Sequence, residues 1–200
     1  LRSTTALPRV SEQERLPFKS VAVRHSARKT KTAALTPKPA APHVEATCWS
    51  GWTSGEVELA AAQRTGRWPD GRKIGRGHGQ PYLQPVYAHA IRRRKKTVEG
   101  RPGIGWAARV TPDDWITFKV TASGGKKLVC RAMLVRRFAS FEAMLRECGV
   151  EACLPGLSGG LREGVEVYRS FGTFGGATYA ELESESGAIA IDLEPLRPAL

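Results

Sequence analysis

The sequence has no long apolar run. No stretch approaches the roughly 18 apolar residues that a membrane-spanning helix needs, and no apolar signal-peptide core stands at the start of the chain. We therefore expect no membrane span. The first 47 residues are instead rich in Arg, Ser, Thr, Ala and Pro. That composition is typical of an organelle transit peptide and equally of a basic leader in a cytoplasmic or nuclear protein, and both remain open.

Cysteine is also scarce, with four residues in 200. Cys148 and Cys153 are separated by four residues and have no second pair, whereas zinc sites usually show two close pairs. Cys130 lies in an apolar run and is expected in the core. The sequence therefore predicts no metal and no other cofactor, with free thiols in a reducing, intracellular compartment.

Acidic residues are few in the first 80 residues, where 14 lysines and arginines against 6 acids leave an excess of +8. Residues 81–200 carry 17 against 13, an excess of +4. A strongly basic balance favours a polyanionic partner, nucleic acid before an anionic membrane. The alternative for residues 1–80 is a solvated basic tail without a specific partner.

Residues 1–80 are predicted to form a basic, Pro- and Gly-rich leader or linker that is mostly disordered. Residues 36–42 are Pro-rich, and residues 71–79 combine glycine with basic residues but lack the ending of a phosphate loop. Residues 56–64 have the composition of a short helix that is marginal on its own. Three tryptophans in this part are expected either to dock on the folded domain or to contact a partner, and both remain open: Trp49, Trp52 and Trp68.

Residues 81–196 show the periodicity of a folded α+β domain. The strands are predicted at residues 97–99, 115–121, 127–137 and 187–193. Three short helices are predicted from Pro85 to the basic run 92–96, at 141–148 and at 161–171. Pairing of the last strand over a long range suits a small β-barrel with helices around it.

The string Lys95-Lys-Thr-Val-Glu-Gly-Arg101 resembles the motif of the ASCH domain family in the PUA-like superfamily. Downstream landmarks fall in the same order, among them Asp113-Asp-Trp-Ile-Thr-Phe118 and Leu154-Pro-Gly156. The resemblance covers residues 81–196. It implies a PUA-like β-barrel with a cleft between barrel and helices. It also implies a link with RNA: RNA binding, coactivator domains, hydrolysis of N-acetylated cytidine, or ribonuclease activity.

The resemblance also identifies candidate catalytic residues. Amidohydrolase members resemble Lys-Thr-x-Thr-x-Arg, and Lys96, Thr97 and Arg101 match that pattern, whereas Glu99 stands at the position of the nucleophilic Thr. A carboxylate there would act as a general base towards water. Because a regular strand would point Lys96 and Glu99 to opposite faces, their convergence requires a twist or bulge near Gly100. The alternative for Glu99 is an ion pair with Arg101 or Lys96.

We therefore predict an RNA-binding module, with a hydrolase acting on a modified nucleoside or a ribonuclease as the alternative and a protein-interaction domain as a third possibility. An enzyme would use Lys96 and Glu99. The predicted partner is RNA or a modified nucleoside, and a monomer is expected. The predicted nucleic-acid-binding residues are Arg94, Lys95, Lys96, Thr97, Glu99, Arg101, Trp106 and Tyr168. The basic run 92–96 has a second explanation, because cations at a helix C-terminus complement the helix dipole.

Overall fold

A computed structural model of the chain describes residues 55–79 and 81–196. The predicted linker at 36–42, together with Cys48, Trp49 and Trp52, lies outside the described residues. None of the helices within the two described ranges is long and apolar enough to cross a membrane.

The centre of the fold is a six-stranded mixed sheet with the order β1-β4-β5-β8-β3, in which β2 also pairs with β4. Strands β1 and β2 run parallel to β4, and the other neighbours are antiparallel. A separate two-stranded sheet joins β6 and β7. The strands are β1 Gly77–His78, β2 Tyr82–Leu83, β3 Val98–Pro102, β4 Trp115–Val120, β5 Lys127–Phe138, β6 Thr173–Phe174, β7 Ala177–Thr178 and β8 Ala188–Pro195.

The main sheet is open rather than closed into the expected barrel. Closure requires the two edges of a sheet to pair with each other. One edge is β3, the other is formed by the two-residue strands β1 and β2, and these edges are not paired in the described part of the chain. The fold is therefore mixed α+β as predicted, but a β-barrel is not shown.

The described ranges contain six α-helices, where the sequence predicted three in residues 81–196. Helices α2, α3 and α5 correspond to the three predicted helices, and α4 and α6 were missed. Helix α6 carries a capping box between Thr178 and Glu181. It was missed because its acidic sequence lacks the apolar periodicity by which a helix is predicted. The helices are α1 Glu56–Thr65, α2 Pro85–Arg92, α3 Phe141–Cys148, α4 Val150–Cys153, α5 Gly160–Arg169 and α6 Tyr179–Ser186.

Strand β8 is covered on both faces, and this divides the core. Its alternate residues point to opposite sides. Ile189 and Ile191 pack with residues of β4 and β5 in one cluster, whereas Ala188 and Ala190 pack with Phe141 of α3 in another. Burial on both faces accounts for the almost continuous apolar run from Ala188 to Ile191.

A third, smaller cluster attaches residues 55–79 to the sheet. Ala62 of α1 and Trp68 pack with Val129 of β5 and with Leu196. The described part of the predicted leader thus contributes a helix and a strand to the fold. The division of the chain at residue 80 itself stays a prediction.

Candidate nucleic-acid interface

The basic run after α2 is organised by the way in which that helix ends. The backbone N–H of Lys95 donates to the carbonyl of Ala90 at 2.9 Å, and that of Arg94 donates to Ile91 at 2.9 Å. Arg94 has the left-handed φ of 55°. Together these features form a Schellman motif, with Arg94 at the position where glycine is usual. The turn leaves Arg94 and Lys95 exposed and buries the side chain of Lys96.

Lys96 is only 3% exposed and its ammonium group is fully engaged. The Nζ atom donates to the carbonyl oxygens of Val98 at 2.6 Å and Cys153 at 2.5 Å. It also lies 3.2 Å from Oε2 of Glu99 and 5.3 Å from the centre of the Tyr87 ring. An ammonium has three donors, so these contacts leave none for a substrate.

Glu99 is 4% exposed and lies between two cations. Its Oε1 accepts a hydrogen bond from Nε of Arg101 at 2.7 Å and lies 2.7 Å from Nη2 of the same guanidinium, while Oε2 faces Lys96. Burial raises the pKa of this carboxyl, but the charges of Arg101 and Lys96 outweigh burial and hold the pKa below its usual range.

No bulge is needed for Lys96 and Glu99 to meet. Strand β3 pairs with β8 in an unbroken register from Val98 to Pro102. Lys96 precedes the strand, in the turn that ends α2, and reaches the Glu99 face from there. The prediction of a twist or bulge near Gly100 was therefore wrong. Side chains alternate between the two faces only within a strand, and Lys96 lies outside β3.

Arg101 links β3 to three neighbouring parts of the fold. Its Nη1 donates to the hydroxyl of Tyr179 at 2.9 Å and its Nη2 to the carbonyl of Tyr82 at 2.9 Å. Its guanidinium lies 5.7 Å from the Trp106 ring centre. Burial lowers the pKa of Arg101, but the Glu99 carboxylate more than compensates and raises it. The group remains a fixed cation.

A shallow pocket of about 40 Å³ opens beside Arg101. Trp106, Phe174 and Tyr179 supply its aromatic walls. Phe174 is 50% exposed on the β6–β7 hairpin. Its ring lies so close to Gly105 that a Cβ there would come within 3.1 Å of it. Aromatic rings beside a cation suit the stacking of a flat, electron-rich base.

The remaining predicted residues lie in different environments. Thr97 is exposed, with its N–H bound to the carbonyl of Ala152 at 3.0 Å. Tyr168 is 1% exposed and stacks on Phe141 with ring centres 4.7 Å apart, so it belongs to the core. Burial raises the pKa of Tyr168 well above its ordinary value.

Among the aromatic residues of the pocket, sequence reasoning missed Phe174 and Tyr179. A signal was present, because Gly175-Gly176 between Phe174 and Ala177 is a typical hairpin turn. A residue beside a two-glycine turn is commonly exposed, and an aromatic ring there has to be explained by a contact.

The fold and the site define a small α+β domain with a buried Lys–Glu–Arg array beside an aromatic pocket. The family model described as ASCH domain matches residues 82–197, more than half of the chain, and the chain belongs to that family.

Several solved structures are similar to the chain. The hypothetical protein PH0355 is 30% identical, with a TM-score of 0.50, over 60% of this chain and 99% of that one. Protein PF0455 from Pyrococcus furiosus is 33% identical, with a TM-score of 0.45, over 61% and 96%. A serine-to-alanine mutant of ZmASCH from Zymomonas mobilis is 24% identical, with a TM-score of 0.39, over 60% and 70%. No curated protein matches the chain.

Proposed function

We propose that this domain binds single-stranded RNA, with an unpaired base against the aromatic pocket and phosphates against the exposed cations that precede β3. The observation that carries the proposal is the pocket itself, which places Trp106 and Phe174 beside the guanidinium of Arg101. The family resemblance to RNA-associated domains supports it, and supports a PUA-like arrangement of the sheet.

The base would lie on the rings of Phe174 and Trp106. Stacking of a base on an aromatic ring contributes about 1–3 kcal/mol and tolerates any base. Tyr82 on β2 is 68% exposed, and its backbone carbonyl accepts from Arg101 of the pocket. A second base of the same strand can stack there.

The phosphates would lie along the turn after α2. Arg93, Arg94 and Lys95 are exposed. Arg94 is 3.7 Å from Glu194, a loose pair at the surface that a phosphate can replace. Thr97 follows with an exposed hydroxyl, about 13 Å along the chain from Arg101 at the usual rise of a strand. Base and phosphate contacts can therefore belong to one short stretch of RNA.

The geometry does not favour the hydrolase alternative. A general base works best when its pKa is near the working pH, and the pKa of Glu99 is lowered instead. Both oxygens of Glu99 already face cations, and Lys96 uses its donors on two carbonyls and on Glu99. These groups support the strand that carries Arg101.

The proposal is tested by binding of a short labelled single-stranded RNA to the full chain over a salt series. We expect Phe174→Ala to weaken binding about 5- to 150-fold, the range that corresponds to 1–3 kcal/mol of stacking. Because no cation is lost, the salt dependence should be unchanged. The matched control is Leu134→Ala, which removes an apolar side chain of β5 that is 46% exposed.

Binding of Phe174→Ala that equals the wild type would contradict the pocket. Failure of the wild type to bind RNA at physiological salt would overturn the proposal altogether. The same tubes are assayed for deacetylation of acetylated cytidine and for RNA cleavage. Turnover by the wild type that is absent from Glu99→Gln, with that variant shown to be folded by circular dichroism, would establish the hydrolase instead.

A further inference from the structure

A tight hairpin at residues 67–73 lies outside the region that matches the ASCH model. The N–H of Gly71 donates to the carbonyl of Trp68 at 2.9 Å, and the N–H of Trp68 donates to the carbonyl of Arg72 at 2.8 Å. Gly71 has a φ of 85°, as a type I turn followed by a bulged glycine requires. The composition of residues 1–80 predicts a leader or linker, but this segment has defined geometry.

The hairpin is fixed to the sheet by buried contacts. Trp68 is 2% exposed, and its Nε1 donates to the carbonyl of Asp113 at 2.9 Å. Asp70 accepts from Nη1 of the buried Arg131 at 2.8 Å. The guanidinium of Arg131 lies 4.9 Å from the Trp68 ring centre. The outward side chains of the hairpin are therefore held in place before any partner arrives.

These outward side chains are cations that face each other. Arg67 and Lys73 form an antiparallel bridge, so they lie directly opposite across the hairpin, and both are exposed. Like charges directly opposite destabilise a sheet pair. In the described ranges no carboxylate lies within ion-pair distance of Arg67, Lys73 or the exposed Arg76. The Arg67 guanidinium donates from Nη1 to the carbonyl of Gly71 at 2.8 Å, a contact that fixes the group but supplies no counterion. An anionic partner would supply one.

The one acid of the hairpin does not neutralise the patch. The carboxylate of Asp70 is engaged by Arg131, which lies behind the hairpin, and by the backbone N–H of Arg72. These contacts lower the pKa of Asp70, with the hydrogen bond from Arg131 as the largest cause. Arg72 is already paired with Asp113 at 2.7 Å. The unmatched charge thus lies on Arg67, Lys73 and Arg76.

We propose that residues 64–76 form a second nucleic-acid contact, which holds the sugar–phosphate backbone of RNA. The identity of the partner rests on the proposed function. A membrane surface fits less well, because interfacial segments insert large apolar residues. The exposed large apolar side chains of the described residues are Val57, Tyr82, Leu134 and Phe174, and none belongs to residues 64–76.

The test compares Arg67→Gln/Lys73→Gln with Arg146→Gln/Arg162→Gln in the full chain. Both doubles remove two cations, but Arg146 and Arg162 are exposed partners of helical i,i+4 ion pairs on α3 and α5. The probes are single-stranded RNA and an abasic sugar–phosphate oligomer of equal length. For the hairpin variant we expect the slope of log K against log salt to fall by about 1.4, and binding at 0.15 M salt to weaken about 10-fold. The control should keep the wild-type slope.

Each outcome decides one proposal. Weakened binding of the abasic oligomer by the hairpin variant, with Phe174→Ala unaffected on that probe, supports the hairpin surface independently of the pocket. A wild type that does not bind the oligomer, or equal slopes for the two double variants, overturns it. If the hairpin variant loses binding to vesicles of phosphatidylcholine and phosphatidylserine but still binds the oligomer as the wild type does, the nucleic-acid proposal is overturned in favour of a membrane surface. If Phe174→Ala leaves RNA binding unchanged, the proposal for the aromatic pocket fails, whatever the result for the hairpin variant.

The fold of the hairpin variant is checked by its melting temperature. Arg67 and Lys73 lie at the surface, and the variant loses one exposed hydrogen bond, from Arg67 to the carbonyl of Gly71. The Tm should therefore change by only about 2–4 °C. A larger fall in Tm would show that the two side chains stabilise the fold, which contradicts a pair kept for a ligand.

Discussion

Glu99→Gln distinguishes a structural carboxylate from a catalytic one. In the wild type this buried side chain balances the charge of Lys96, which is buried beside it, and of Arg101. The amide keeps the shape and some hydrogen bonds but removes the negative charge. Lys96 then remains a buried cation without a counterion.

The expected cost is large. Breaking a buried ion pair by removing one partner costs about 3–5 kcal/mol. Arg101 retains some contact with water, with a side chain 17% exposed, so Lys96 accounts for most of the loss. We expect Glu99→Gln to lower the free energy of unfolding by about 3 kcal/mol. That corresponds to a fall in Tm of roughly 6–12 °C.

The pH dependence follows from the lowered pKa of Glu99. A lowered folded-state pKa means that the stabilising charge is fully present above the unfolded pKa, near the ordinary 4.5, and is lost as the pH falls through the folded value. The advantage of the wild type over Glu99→Gln should therefore be complete at pH 7. It should begin to shrink below about pH 4.5.

The assay is urea unfolding followed by circular dichroism at a series of pH values. Glu147→Gln is the control, because Glu147 lies at the surface, and we expect it to change stability by less than about 0.5 kcal/mol. The double variant Lys96→Met/Glu99→Gln should lose less than the two single variants together. A carboxylate kept for catalysis commonly costs stability, so a neutral or stabilising Glu99→Gln would refute the structural role.

Three further changes test separate parts of the fold. Arg94→Gly should raise stability by about 0.5–1 kcal/mol in urea unfolding, because glycine suits the left-handed φ, while RNA affinity falls. Gly100→Ala should cost about 1–3 kcal/mol, since the new Cβ would lie 2.5 Å from Tyr168 Oη and 2.6 Å from Met144 Cε; an unchanged Tm would contradict this packing. Trp68→Ala should cost about 3–5 kcal/mol in the same unfolding assay, and a neutral result would show that the hairpin is not anchored by that ring.

The sequence was most informative where local pattern and structure coincide. Strand β5 was predicted at 127–137 and observed as Lys127–Phe138. Helix α3 was predicted at 141–148 and observed as Phe141–Cys148, and the Ser140 side chain caps it by accepting from Ala143 N. An amphipathic stripe, a capping residue and a glycine turn are all local, so one sequence suffices to find them.

The sequence was least informative where a contact joins distant parts of the chain. Lys96 and Cys153 are 57 residues apart, and the bond between them decides that Lys96 is buried. Trp68 and Asp113 are 45 residues apart, and their bond makes part of the predicted leader a folded segment. Periodicity carries no information about such pairs. For the same reason Phe174 could be seen beside a turn but not placed opposite Trp106.

The most direct test of the account is whether a base enters the aromatic pocket. Single-stranded RNA that carries 2-aminopurine at one position loses fluorescence when that base stacks on an aromatic ring. We predict quenching on binding to the wild type and to Leu134→Ala, and little or none with Phe174→Ala. RNA that binds tightly without any quenching, or quenching that Phe174→Ala leaves unchanged, would contradict the pocket as the site of base recognition.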